Sequence, residues 1–125
     1  MSFRDMIAAA QNSPWTKAAS AFCLLFIIVY SLIPQTERVN TGLPGKIEHV
    51  LAYSVTGLLL GLSIRSERGP LLAAVHLTWL ACLLEFLQQW VPGRHARVSD
   101  AIVGAAAGAL GAVLAALLRR RARLT

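Results

Sequence analysis

Four long apolar runs account for most of this 125-residue chain, and they restrict it to a helical fold. The runs cover residues 18–33, 48–64, 71–90 and 101–118. Each is close to the ~20 residues that an α-helix needs to cross the hydrocarbon core of a bilayer. Short polar loops punctuated by proline and glycine separate the runs, as expected for chain reversals. The pattern predicts an all-α protein, a bundle of four transmembrane helices.

The composition agrees with a membrane-embedded chain. Hydrophobic residues make up 56% of it and charged residues 14%, and the net charge is +6. The basic residues lie at the ends of the apolar runs, where they favour anionic lipid headgroups and not nucleic acid. Cys23 and Cys82 both lie inside apolar runs, so their spacing indicates neither a disulfide framework nor a metal site. No metal and no cofactor is therefore expected.

The distribution of basic residues predicts the orientation. Eight lie on the side of the two termini, and they are Arg4, Lys17, Arg65, Arg68, Arg119, Arg120, Arg121 and Arg123. Four lie on the other side, and they are Arg38, Lys46, Arg94 and Arg97. By the positive-inside rule both termini are cytoplasmic, and the loops 34–47 and 91–99 face outward. Residues 1–17 are predicted to be an interfacial segment, residues 18–118 the membrane domain and residues 119–125 a basic cytoplasmic tail.

Polar residues gather at the outward helix ends. Lys46, His49 and Tyr53 share one face of the second helix, because their spacing follows the helical repeat. Glu85 and Gln88 are one turn apart at the end of the third helix. The predicted binding residues are Lys46, His49, Tyr53, Glu85, Gln88, Arg94 and Asp100.

Each of these residues also has a structural interpretation. His49 and Glu85 could pair with each other, or with Lys46 and Arg94, to hold helices together. Asp100 could be the N-cap of the fourth helix, with Ser99 as the alternative. Tyr53 could be an interfacial aromatic residue.

A small-residue motif occupies the fourth run. Gly104 and Gly108 form a GxxxG element, which lets helix backbones approach closely in lipid. The first interpretation is tight packing inside the bundle. The alternative is a homo-oligomer that forms through the helix carrying Gly104 and Gly108.

The polar motifs resemble those of the VanZ-like family of small bacterial membrane proteins. The matching pieces are K-x-x-H-x-x-x-Y from Lys46 to Tyr53, E-x-x-Q from Glu85 to Gln88, and P-G-R from Pro92 to Arg94 with Asp100 six residues further on. The resemblance covers about residues 44–112. It implies a multi-pass protein of the bacterial cytoplasmic (inner) membrane, from a family named for a protein linked to resistance to the glycopeptide teicoplanin.

Three functions remain open at this point. The first is binding or modulation of an anionic lipid, or of a lipid-linked cell-wall precursor, at the outward pocket. The second is a membrane enzyme that acts on a lipid phosphate by acid–base chemistry, with His49, Glu85 and Tyr53 as catalytic candidates. The third is a structural or transport-type subunit that docks through its glycine-rich helix.

Overall fold

The first two helices meet at a serine. The computed structural model describes all 125 residues, which form helices and connecting loops without strands. Helix α1 is Phe3–Asn12 and helix α2 is Pro14–Leu32. Ser13 separates them because its hydroxyl accepts the backbone N–H of Trp15, and Pro14 suits a first helical position. The predicted first span of residues 18–33 therefore starts four residues too late, and the predicted 1–17 segment divides between α1 and α2.

Three further helices complete the bundle. Helix α3 is Gly45–Ser63, α4 is Gly69–Leu87 and α5 is Val98–Leu124. A short 3₁₀ turn, Gln88–Trp90, extends α4, so the predicted span 71–90 includes a tighter last turn. Residues 119–124, predicted as a tail, continue α5 as a helix. Arginine and alanine form helices well, and cations are favoured near a helix C-terminus.

Three of the helices are long and apolar enough to cross a membrane, namely Pro14–Leu32, Gly69–Trp90 and Val98–Leu124. Their outward faces carry large apolar side chains, and Phe22, Trp79 and Leu110 are 69%, 73% and 64% exposed. Soluble monomers rarely expose so much contiguous apolar surface. These helices therefore suit a membrane protein, in which lipid covers that surface.

Helices α3 and α5 pack with their backbones almost in contact. Gly57 lies against the backbone of Gly108, and Gly111 lies against the carbonyl of Ser54. Gly61 faces Ala115, and a Cβ at residue 61 would lie 2.8 Å from the Cβ of Ala115. Small residues on both helices permit this approach.

The GxxxG element lies inside this packing. A Cβ at Gly104 would lie 3.2 Å from the Tyr53 ring, and one at Gly108 would lie 3.0 Å from Leu77. Both glycines are buried. Their face is thus covered by α3 and α4 within a single chain, as the first interpretation of the motif predicts.

The core lies where α2, α3, α4 and α5 meet. Its buried side chains are Ile27, Tyr53, Leu77, Ala81, Leu84 and Ala107. Tyr53 belongs to this core, so it is not an interfacial aromatic residue as the simpler interpretation had it. Its ring fills the space that Gly104 leaves.

A buried arginine closes the end of the bundle where α3 stops. Arg119 is 6% exposed, and its Nη1 donates to the carbonyl oxygens of Gly61 and Ile64, both at 3.1 Å. Its Nη2 donates to Arg65 O at 3.3 Å and to Ser66 O at 2.7 Å. The last carbonyls of a helix have no partner within the helix. Arg119 of α5 therefore caps α3 from a neighbouring helix.

The two loops at the opposite end bind each other. The backbone N–H of Gln35 donates to Pro92 O at 3.2 Å. Gly93 follows with φ +73°, a left-handed conformation that favours glycine, and a Cβ there would lie 2.9 Å from the Cβ of Gln35. This contact joins the 33–44 loop to the 88–97 loop.

We expect Gly93→Ala to lower the free energy of unfolding by about 2 kcal/mol, because it adds both left-handed strain and a clash with Gln35. Gly42→Ala is the matched control, since Gly42 has φ +75° and a methyl group at that position would have no neighbour within 4 Å. The control should lower the free energy of unfolding by the left-handed strain alone, about 1 kcal/mol. Thermal unfolding in detergent measures both. Equal losses in the two variants would show that a methyl group at residue 93 does not clash with Gln35.

Candidate functional site: a basic polar pocket beside an apolar groove

A pocket of about 450 Å³ opens where the N-terminus of α3, the end of α4 and the start of α5 meet. No hydrophobic side chain lines it. Its charged and titratable residues are Arg38, Lys46, His49, Arg94, His95, Arg97 and Asp100. The others are Gln35, Gly45, Gln88 and Gly93. We call this site the polar pocket. It brings together five of the seven predicted binding residues, Lys46, His49, Gln88, Arg94 and Asp100.

The face of α3 carries His49 into the pocket. Its Nδ1 lies 2.9 Å from Gly45 O, and because a carbonyl oxygen only accepts, Nδ1 carries the proton. In the neutral ring Nε2 is then the acceptor. The imidazole stacks on the ring of Tyr53, with centroids 6.0 Å apart and planes 13° apart. Lys46, His49 and Tyr53 thus share one face of α3, as their helical spacing predicts. Lys46 and His49 line the polar pocket, and Tyr53 lies in the core.

Glu85 at the end of α4 and Gln88 in the 3₁₀ turn that follows it are both buried, and each binds a backbone group of another segment. Glu85 accepts the backbone N–H of Arg97 through Oε1, and Gln88 donates from Nε2 to Ser31 O at 3.0 Å. Glu85 forms no ion pair with Lys46 or Arg94, and no hydrogen bond with His49. The pairing interpretation therefore does not describe the structure. Glu85 instead positions the loop that carries Arg94, Arg97 and His95.

Asp100 is not an N-cap. Helix α5 starts at Val98 with Arg97 as its N-cap, and no side chain caps it. Asp100 lies in the first turn, where a carboxylate interacts favourably with the helix dipole. It is the one carboxylate that lines the polar pocket.

Two guanidinium groups leave donors without partners at the pocket. Nη1 of Arg94 and Nε of Arg38 are buried and have no hydrogen-bond partner. Leaving a buried donor unsatisfied costs about 1–3 kcal/mol, and more when the donor is charged. Burial lowers the pKa of Arg94, and the nearby charge of Arg38 acts in the same direction. The site therefore has buried positive charge that its own residues do not fully compensate.

Two neighbours that the sequence did not reveal hold Arg38 in place, and a third residue orients one of them. Its Nη2 forms an ion pair with Glu48 Oε2 at 2.7 Å, and its guanidinium lies 4.4 Å from the centroid of the Tyr30 ring. Thr41 donates to the other oxygen of Glu48. Arg38 lies in a loop, and loop residues follow no periodicity from which their partners can be inferred.

An apolar groove of about 680 Å³ adjoins the polar pocket. Its walls are α2 and α3, with Phe22, Phe26 and Tyr30 on one side and Leu51 and Val55 on the other. Arg38, His49 and Arg94 line both the groove and the polar pocket. Tyr53 borders the groove as well. The site therefore has a charged compartment and an apolar compartment that meet at three shared side chains.

No three side chains of His, Cys, Asp or Glu come together in a way that could hold a metal ion. The chemistry available at the site is therefore that of two imidazoles, one carboxylate and a set of cations. No protein-family model, no curated protein and no solved structure matches this chain.

Proposed function

We propose that this protein binds the anionic headgroup of a membrane lipid, or of a lipid-linked cell-wall precursor, in the polar pocket. The unpartnered Nη1 of Arg94 carries the proposal, since phosphate oxygens are the acceptors that a buried guanidinium lacks. Lys46 and Arg97 add positive charge at the rim, against the single carboxylate of Asp100.

The proposed setting is a bacterial inner membrane. In this arrangement α2, α3, α4 and α5 all cross the bilayer, with both termini in the cytoplasm. The support is the split of eight basic residues at the end that holds the termini against four at the end that holds the polar pocket. The pocket then faces outward, where cell-wall precursors are used.

The VanZ-like motifs are part of the same proposal. Lys46, His49, Gln88, Arg94 and Asp100 are separated by up to 54 residues in sequence, yet they line one pocket. Residues that bind one ligand together must lie close together, and these five do. A contribution to glycopeptide tolerance would follow if the bound lipid were a cell-wall precursor.

We expect Arg94→Gln and Lys46→Gln to weaken binding of inorganic phosphate by about tenfold or more, since one charge-assisted hydrogen bond contributes about 1.5–3 kcal/mol. Titration of the protein in micelles of a maltoside detergent, which contains no phosphate, measures this affinity. Arg120→Gln is the control, because Arg120 is an exposed arginine at the opposite end of the bundle. Unchanged affinity in both pocket variants would contradict the proposal.

A further inference from the structure

Side chains of α2 and α3 form the two walls of the apolar groove. On α2 the rings of Phe22, Phe26 and Tyr30 follow one another at helical spacing, with centroids 6.5 Å and 5.3 Å apart. On the other side α3 contributes Leu51 and Val55. The Tyr30 hydroxyl donates to Val39 O at 3.0 Å, which fixes the 33–44 loop over the end of the groove nearest the polar pocket.

The groove opens sideways to the surface of the bundle. Phe22, Phe26 and Leu51, which line it, are 69%, 49% and 52% exposed. In a membrane this surface faces hydrocarbon. An apolar chain therefore enters the groove from the bilayer without passing through water.

The three shared side chains make the two compartments continuous. Arg38, His49 and Arg94 contact the polar pocket on one side and the apolar groove on the other. A soluble anion would use the polar pocket alone. Only a molecule with an anionic head and an apolar tail matches both compartments at once.

A second apolar groove in the same bundle lacks this feature. It lies between α3 and α5, has a volume of about 530 Å³, and is lined by Ser54, Leu58, Leu110 and Leu114 among others, with no charged residue. Any surface groove of a membrane protein contacts lipid chains. The groove between α2 and α3 differs because it ends at guanidinium groups.

We infer that the ligand is a lipid whose phosphate lies in the polar pocket and whose apolar chain lies in the groove between α2 and α3. This inference rests on the proposed function and adds to it a binding site for the apolar chain of the same lipid. Arg94 holds the phosphate at the junction, and the aromatic wall of α2 aligns the chain.

The test compares two probes, inorganic phosphate and dodecyl phosphate, with the protein in micelles of a maltoside detergent, which contains no phosphate. We expect Leu51→Trp, which fills the groove, to weaken binding of dodecyl phosphate by about tenfold and to leave inorganic phosphate unaffected. Phe26→Ala, which removes part of the aromatic wall, should act in the same direction. Leu114→Trp is the matched control, because Leu114 is a leucine of similar exposure, 46%, in the uncharged groove.

The outcomes separate the inference from the proposal on which it rests. Equal effects of Leu51→Trp and Leu114→Trp on dodecyl phosphate would overturn the inference, as would equal affinities of the unmodified protein for the two probes. In either case a loss of phosphate binding in Arg94→Gln would still support the headgroup site. Phosphate binding that is retained in Arg94→Gln would instead contradict the proposed headgroup site itself.

Discussion

Replacement of Gly111 by leucine should lower the free energy of unfolding by about 3 kcal/mol or more, the largest effect that we expect from a single residue. A Cβ at residue 111 would overlap the carbonyl oxygen of Ser54 and would lie 2.8 Å from the backbone nitrogen of Leu58. Backbone atoms in a helix cannot move aside as a flexible side chain does. The substitution must therefore separate α3 from α5, along the most extensive contact in the bundle.

The control for Gly111→Leu is Ala106→Leu on the same helix. Ala106 is exposed, so a larger side chain at that position meets no neighbouring helix. Gly111→Ala should fall between the two, because it adds the Cβ alone. Denaturation in mixed detergent micelles, followed by circular dichroism, measures all three variants. If Gly111→Leu is as stable as Ala106→Leu, the close approach of α3 and α5 is incorrect.

Replacement of Arg119 by methionine should cost about 3 kcal/mol of stability. Methionine keeps much of the length of the side chain but donates no hydrogen bonds. The carbonyls of Gly61, Ile64, Arg65 and Ser66 would then lose the cation that now satisfies them. Arg119→Lys should lose less, since an ammonium group keeps the charge but lacks the planar, forked geometry that reaches several carbonyls together.

Arg120→Met is the control for Arg119. It removes the same charge one residue further along α5, from an exposed side chain. We expect a change of less than about 0.5 kcal/mol for this variant, as for most surface substitutions. The same unfolding assay applies. Equal destabilisation by the two substitutions would mean that net charge near the terminus matters and the cap on α3 does not.

The sequence was sufficient for those parts of the site that lie on regular helices. Spacing along α3 places Lys46 and His49 on one face, and the order of helices with short loops brings Arg94 and Asp100 to the same end. Hydrophobic periodicity and loop length determine both results. The all-α class follows from the same signals.

The contacts of the loops and of the helix ends could not be predicted from hydrophobic periodicity and loop length. The roles of Gln35 and Arg38 depend on how the 33–44 loop folds against the 88–97 loop, and no periodic pattern encodes that contact. One interpretation paired Glu85 with His49, Lys46 or Arg94, yet its partner is the backbone N–H of Arg97. Every residue other than proline offers a backbone N–H, so sequence alone does not identify such a partner. Arg119 was assigned to a tail because a run of arginines does not reveal which one turns inward.

The central position of α3 has a consequence for how the chain enters a membrane. Helix α3 packs against α1, α2, α4 and α5, but it is not among the three helices apolar enough to cross a bilayer by themselves. Its first turns carry Lys46, Glu48 and His49, and such residues oppose insertion of an isolated segment. If α3 crosses the bilayer, as in the proposed arrangement, we expect it to insert as a hairpin with α4, across the short connection at residues 64–68. Because α5 supplies its most extensive packing and its cap, we expect α3 to be fully packed only after α5 has been synthesised, although α5 follows it by more than thirty residues in the sequence.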